Sequence, residues 1–562
     1  MKLIQKKIND QLRSELIANG IAKYTAQLLA ARSIQSFADI NYSIDMLLPP
    51  ELLKDCTEAS IFLSEAIIDQ KKVVIVGDYD ADGATGSSIG ILGFQLLGLD
   101  VDFLIPSRFK EGYGLSPEIV NLAHSMHAEI IITVDNGIAS FDGVKRANEL
   151  GIDVVITDHH LQAETLPKAS FIINPNRKDC SFPSKSLCGA GVLFYLLIAI
   201  RKCLRTKQYF SDNLKEPNLM QLLDLVALAT IADVVPLDFN NRLMLHFGLK
   251  KIRSHQCNLG IKKLFQLSNK NHMECQASDL GFIIAPKINA AGRMNDMSLG
   301  VQCLTSLNEF DASYYAKQLI EFNHERKQTE SVMKEDANKI LKDFKPQKKT
   351  ICLFSEEWHQ GVVGILASRI KEAFYRPVII FAEDENNFLK GSARSINGFH
   401  IRDAIDMVAK KSPHIISTFG GHAMAAGLTI DKKYFNEFVK LFEEVAGQWL
   451  NHDDLNEVIE YDTSLMESDI NVSIVDEINF LEWGNGFPKP IFMDEFECID
   501  QKLIKDSHSK LKLRFKESIY DSILFNFIEP IFGRIKCLYT LETNKFMNQS
   551  NVVINIRKII ND

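Results

Sequence analysis

From Lys71 onward the chain alternates short, almost wholly apolar runs with longer stretches of helical spacing. The runs are VVIVGD (73–78), VDFLIP (101–106), EIIITVDN (129–136), DVVITDHH (153–160) and SFIINPN (170–176). Strands that are apolar on both faces are covered on both faces, and helical crossovers between them make the sheet parallel. Ligands of such open α/β sheets sit beyond the carboxyl ends of the strands. Gly189–Ile200 and Met220–Ile231 read as buried helices. The charged stretch that ends ERKQTESVMKEDANKILKDF carries no long apolar face and predicts a connector helix. Beyond it, TICLFSEEW (350–358) and RPVIIFAE (376–383) predict strands flanking a helix over 361–374, the start of a second α/β unit.

The last hundred residues change character. Residues 451–500 hold fourteen acids and one Lys, whereas 501–562 hold eleven Lys and Arg against six acids. Lys510-Leu-Lys-Leu-Arg-Phe-Lys516 alternates basic with apolar. A strand there sets Lys510, Lys512, Arg514 and Lys516 on one face and Leu511, Leu513 and Phe515 on the other. With the runs SILFNFI, RIKCLYTL and NVVINIRKII behind it, the segment reads as a small β-barrel with a basic face; a solvated antiparallel edge has the same periodicity. The layout expected is a helical extension (1–50), a parallel-sheet catalytic domain (51–310), a connector helix (311–345), a smaller α/β domain (346–450) and the barrel (451–562).

Length supports several cores, since a chain of 562 residues exceeds what one core fills. A net charge of −9 argues against coating nucleic acid through bulk charge, although a local basic groove remains compatible with it. Ten scattered cysteines without a CxxC pair give neither a zinc site nor a disulfide framework and fit a reducing compartment. The N-terminus MKLIQKKINDQLRSEL lacks the apolar core of a signal peptide, and the longest apolar run, Val192–Ile200, is far short of the ~20 residues that span a bilayer. A cytoplasmic enzyme is expected, with no membrane association.

The chemistry sits where the strands end. The first ends in Gly77-Asp-Tyr-Asp-Ala-Asp-Gly83, the third in Val134-Asp-Asn-Gly137, the fourth in Thr157-Asp-His-His160, and a later segment supplies Thr230-Ile-Ala-Asp-Val234. Adjacent strand ends bring these side chains together, and several carboxylates within a few ångströms raise one another's pKa. A divalent cation relieves that repulsion. Carboxylate oxygens with imidazole suit Mn²⁺, with Mg²⁺ an alternative and Zn²⁺ less suited without thiolates. More acids than one ion needs point to two ions, which in phosphoryl chemistry lie about 3.5–4 Å apart. A DxDxDG run also opens calcium loops, but those lie between helices and end in a bidentate Glu, whereas this one follows a buried strand. Gly83 and Gly86 let the backbone turn tightly into a helix whose amides face phosphate oxygens.

GDYDADGATG, VDNG, TDHH and TIADVVPL resemble, in order, the successive motifs of the DHH phosphoesterase superfamily. The resemblance implies that Asp80, Asp82, Asp135, His159 and Asp233 ligate two Mn²⁺ (or Mg²⁺) ions. It implies that His160 contacts the scissile phosphate or completes the second site, and that Asp78 orients ligands without binding metal. Asp224, in LLDLVAL, rivals Asp233 as the last ligand; Asp233 is preferred because it follows TIA.

Gly420-Gly-His-Ala-Met-Ala-Ala-Gly427 resembles the DHHA1 signature and is read as a glycine-rich turn opening a helix, an anion site holding Gly421 and His422. Lys287-Ile-Asn-Ala-Ala-Gly-Arg293, Pro106-Ser-Arg-Phe-Lys-Glu-Gly-Tyr-Gly-Leu115, Trp358-His-Gln-Gly-Val-Val-Gly-Ile365 and Gly391-Ser-Ala-Arg-Ser395 narrow the likeness to RecJ-like exonucleases. Gly484-Asn-Gly-Phe-Pro-Lys-Pro490 and the strands after it resemble their OB-fold domain, with Trp483-Gly-Asn-Gly-Phe replacing the more usual Pro-Phe-Gly. By this resemblance Arg108, Arg293, Ser392 and Arg394 contact substrate phosphates, including the 5′ end, and Tyr113 is a further substrate-binding residue; arginine forks suit phosphate recognition.

The implied activity is single-strand-specific DNA hydrolysis from 5′ to 3′, releasing mononucleotides, in recombination and repair. The implied partners are single-stranded DNA, a single-strand-binding protein and a helicase, with the chain a monomer. Three alternatives share the fold: a phosphodiesterase for cyclic dinucleotides or very short RNAs, a non-catalytic DNA-binding replication scaffold, and an inorganic pyrophosphatase. The first lacks the NAAGR-like segment and the barrel, the second has lost ligands, and the third needs no basic barrel.

Overall fold

The computed structural model describes the chain except residues 1, 108–111, 113, 213, 343–346, 385, 505–506, 547–548 and 561–562. Two compact units emerge. One comprises Gln5–Ile320 with Glu460–Asp562; the other comprises Glu321–Ile459 with the N-terminal few residues.

The first unit is built on a five-stranded, wholly parallel sheet. Its strands run in the order Asp102–Leu104, Val73–Gly77, Ile130–Val134, Asp153–Thr157 and Phe171–Ile173. Val73–Gly77 and Ile130–Val134 are buried at every position, as strands covered on both faces must be. The first strand in sequence lies second in space, so the chain reverses its direction of travel between it and Ile130–Val134. That reversal opens a crevice at the carboxyl edge, the usual ligand position of the fold. The helices Ala81–Leu96, Gly189–Thr206 and Leu223–Ala232 pack together beside the sheet, each buried along most of its length. The N-terminal extension is less helical than expected. Lys2–Gln5 is a strand paired with Val458–Tyr461, and among the described residues of the extension Asp10–Ala18 and Lys23–Leu29 are the α-helices.

Residues 492–560 close into a five-stranded barrel, ordered Phe492–Ile504, His508–Phe515, Ser518–Leu524, Gln549–Ile560, Gly533–Phe546. Leu511 and Leu513 are fully buried and Lys510, Lys512 and Arg514 point outward, as the alternation predicts. The basic stripe is less basic than its own strand suggests, however. Lys512 and Lys510 lie 3.1 and 3.7 Å from Asp521, and Arg514 lies 2.9 Å from Glu497. Register pairs Lys512 with Asp521 and Arg514 with Glu497, so neighbouring strands supply the counter-charges.

The second unit carries a mixed sheet, ordered Ile416–Gly421, Ala425–Asp431, Phe388–Arg394, Val378–Glu383, Ile351–Ser355, with only the last pair parallel. Phe381, Phe438 and Phe442 anchor its core. The boundary between the units falls inside the 33-residue helix Glu309–Leu341. The GGHAMAAG segment does not open a helix. Gly420 and Gly421 end one strand, Ala425 begins the next, and the His422 N–H closes the hairpin on the Ala425 carbonyl at 2.7 Å. Gly421, at φ +135°, supplies the left-handed bend such a turn needs, and glycine serves hairpins and helix starts alike. Among the described residues no helix is long and apolar enough to cross a membrane.

Candidate metal centre

The sheet register aligns the chemistry. Gly77 pairs with Val134, Val134 with Thr157, and Thr157 with Ile173. The residues that follow, Asp78, Asp135, Asp158 and Asn174, therefore stand in a row along one edge, and each is at most 4% exposed. Asp135 adopts φ +63°, a conformation Asp tolerates only at a cost. Asn136 holds it there, its side-chain amide donating to the Val76 and Val134 carbonyls at 3.0 and 2.9 Å while Thr133 Oγ1 donates to the Asn136 carbonyl.

The DxDxDG loop turns at once into the Ala81–Leu96 helix. Asp80 caps it, accepting from the Asp82 and Gly83 N–H groups at 2.9 and 3.1 Å. Gly83 is required because a Cβ there would lie 2.3 Å from the Asp78 carbonyl oxygen. Asp82 points at the start of the Gly189–Thr206 helix, where the Gly189 and Ala190 N–H groups donate to its two oxygens at 2.7 and 3.0 Å. Across the sheet edge, Asp158 accepts from the Ile138 N–H at 2.9 Å, from the His159 and His160 N–H groups at 2.7 and 3.0 Å, and from His160 Nδ1 at 2.8 Å. Asn176 and Asn174 donate to the His159 and His160 carbonyls at 2.5 and 2.9 Å.

These supports bring the expected set together. His159 Nε2 lies 3.0 Å from Asp135 and 3.5 Å from Asp233, which ends the Leu223–Ala232 helix. Among the described residues, three groups have ligand atoms within 4.8 Å of one another: Asp135, His159 and His160; Asp82, His159 and Asp233; Asp78, Asp80 and Asp135. Asp135 and His159 each belong to two groups, as residues between two ions would. Asp224 joins none of the three. Its carboxylate is taken by Lys251 Nζ and the Asn258 N–H, both at 2.8 Å.

The electrostatics show what the cluster needs. Burial, reinforced by Asp80, pushes the Asp82 carboxyl up to about 7. Burial and the surrounding carboxylates push Asp135 and Asp233 well above the usual range. Burial would raise Asp158 as well, but the hydrogen bond and charge of His160 outweigh it and hold Asp158 low. The same bond overcomes the burial of His160 and lifts its imidazole to about 9. Oxygen donors with one or two imidazoles, mutually repelling when ionised, fit hard divalent cations such as Mn²⁺ and Mg²⁺.

Comparison with known proteins decides the family. Residues 72–230 match the DHH family, N-terminal domain; 347–448 match the DHHA1 domain; 461–558 match the RecJ OB domain. The single-stranded-DNA-specific exonuclease RecJ of Haemophilus influenzae is 43% identical over 547 residues, covering 94% of this chain and 95% of that protein. The chain belongs to the RecJ family. The crystal structure of RecJ from Thermus thermophilus in complex with Mn²⁺ matches with a TM-score of 0.83 at 27% identity, over 100% of this chain and 79% of that one. Its counterpart in complex with Mg²⁺ matches with a TM-score of 0.76 at 26% identity, over 100% and 78%.

The RecJ-type elements outside the sheet edge fall in both units. Arg108 and Tyr113 lie outside the described residues. The NAAGR-like segment forms the helix Ala285–Met294, whose Asn289 carboxamide oxygen accepts from the Ala81 N–H at 2.9 Å. This helix therefore supports the DxDxDG loop, and Arg293 sits in its last turn. In the second unit Arg394 donates to Ser368 Oγ and Ser392 Oγ at 3.2 Å each, beside the first turn of the Val363–Phe374 helix. Ala425 pairs with Arg394, which sets the Gly421–His422 turn next to the same strand end. Sequence reasoning passed over Asp158, Asn136, Asn174, Asn176, Asn289 and Ser368. The INPN and KINAAGR segments carried the signal for three of the asparagines, since Asn beside a strand end or helix start is there to bond backbone.

Proposed function

We propose that this chain is a metal-dependent exonuclease specific for single-stranded DNA, removing 5′-mononucleotides from the 5′ end in recombination and repair. Asp80, Asp82, Asp135, His159 and Asp233 hold two Mn²⁺ (or Mg²⁺) ions, with Asp78 orienting them. When bound, the ions lower the pKa of a coordinated water and neutralise charge on the phosphodiester. His160, held as an imidazolium by Asp158, meets the scissile phosphate. Arg394, with Ser392 and Ser368 fixing its guanidinium, takes the terminal 5′-phosphate; Arg108, Tyr113, Arg293, Gly421 and His422 contact the rest of the strand. The barrel binds the single strand further along. The chain acts as a monomer in the cytoplasm, with a single-strand-binding protein and a helicase as partners.

One observation carries this reading. Five acidic and two histidine side chains from four chain segments converge in three overlapping ligand groups. RecJ of Thermus thermophilus, similar over the whole chain, is described in complex with Mn²⁺ and with Mg²⁺. The test is to incubate the purified protein and Mn²⁺ with long single-stranded DNA labelled at either end, with duplex, and with a cyclic dinucleotide. Early release of the 5′ label from the single strand alone, abolished by chelation, is the expected result. Preference for the dinucleotide, or chelator-resistant hydrolysis, would overturn the proposal.

A further inference from the structure

We infer that Asn485, in the loop leading into the C-terminal barrel, is a positioning residue for Asp233 and thereby sets the affinity of the metal centre. The inference rests on the reading of Asp233 as a metal ligand. Asp233 is followed by Val234, whose φ is +58°. A β-branched residue resists the left-handed region strongly, because its two γ carbons crowd the backbone. Val234 is also 63% exposed, so its conformation is not imposed by burial.

Hydrogen bonds from a distant segment hold it. Asn485 Nδ2 donates to the Val234 carbonyl at 2.7 Å, and the Leu237 N–H donates to the Asn485 carbonyl at 2.8 Å. One residue thus clasps both ends of the 234–237 loop. Its flanks are shaped for the approach: a Cβ on Gly484 would lie 2.6 Å from Leu237 Cδ1, and Gly486 has φ +71°. Asn241 and Arg242 secure two further carbonyls of the loop, at Pro236 and Leu237. Arg242 also stacks over Phe487, 4.6 Å from its ring centre, so loop and barrel entrance are seated on each other. The φ torsion of Val234 orients the peptide that joins it to Asp233. If the clasp is lost, Val234 relaxes to negative φ and Asp233 turns away from Asp82 and His159. Strain stored beside a functional side chain, held by contacts elsewhere, is the expected signature of such a device.

The test is Mn²⁺ binding to the full-length chain, followed by the electron paramagnetic resonance signal of free Mn²⁺, a readout that needs no turnover. Asn485→Ala and the near-isosteric Asn485→Leu are each expected to weaken binding about tenfold, the lower end for lost outer partners of a metal site. Two variants serve so that one misfolded protein does not decide the matter; circular dichroism identifies which is folded. Adding Val234→Gly is expected to restore most of the affinity, because glycine occupies positive φ without a side-chain penalty. Asp233→Ala is the reference. If it binds Mn²⁺ like the unmodified chain, Asp233 is no ligand and the underlying reading fails. If it loses Mn²⁺ while the folded Asn485 variants bind normally, the positioning role alone is overturned. Failure of Val234→Gly to restore any affinity overturns that role as well.

Discussion

Gly189 lies against Asp135 so closely that a Cβ on the glycine would stand 2.5 Å from the Asp135 Cβ. The close approach also lets the Gly189 N–H reach Asp82 at 2.7 Å. One helix terminus thus serves two of the proposed ligands, with its positive end toward the cluster. Gly189→Ala is expected to lower the melting temperature by an amount matching about 1–3 kcal/mol of overpacking. It should also weaken Mn²⁺ binding. Calorimetric melting with and without Mn²⁺ checks both, and an unshifted melting curve would contradict the geometry.

Asp158 binds no metal in this reading, yet three of the four hydrogen bonds it accepts come from the two histidines and fix both, the fourth coming from the Ile138 N–H. Asp158→Asn removes the charge that holds His160 as an imidazolium. Hydrolysis of single-stranded DNA is expected to fall about 10–100-fold, the cost typical of lost partners behind a metal site. The His160 titration, followed by NMR, should move down from about 9.

The metal-free protein is expected to lose stability as pH rises. The Asp82 carboxyl titrates near 7 when folded against 3.8 ordinarily. Between those values the folded chain keeps a proton that the unfolded chain has released, so raising pH disfavours folding; Asp135 and Asp233 act in the same direction. Melting in a chelator should therefore fall from pH 4 toward 7. Added Mn²⁺ should reverse the trend, since bound metal requires deprotonated ligands.

Arg394→Ala is expected to erase the preference for 5′-phosphorylated over 5′-hydroxyl ends while leaving Mn²⁺ binding intact. Competition between the two labelled ends measures it, and an unchanged preference removes the role assigned to this guanidinium.

Lys512 and Arg514 stand beside Asp521 and Glu497, so the barrel's basic stripe offers less charge than its sequence suggests. Lys512→Ala with Arg514→Ala is expected to lower the salt slope of single-strand binding by clearly less than the roughly 1.4 that two phosphate contacts would contribute. A drop of that full size would mean the ion pairs open on DNA.

Much of this protein is readable from local sequence alone. Apolar runs such as VVIVGD and EIIITVDN announce buried parallel strands, and because such strands end at one edge, their terminal acids announce a shared site. The order of the motifs places Asp80, Asp82, Asp135, His159 and Asp233 among the candidates before any coordinates. Three-dimensional packing decided what one-dimensional pattern cannot contain. Asp233 rather than Asp224 reaches the cluster because Lys251 and the Asn258 N–H occupy Asp224. Gly420–Gly427 is a hairpin because its glycines pair across strands. The barrel's lysines are partly neutralised by residues on neighbouring strands. Asn289 and Asn485 act on segments more than two hundred residues away. Periodicity reports which face a residue occupies, whereas a side chain's partner depends on which distant segment the fold sets against it.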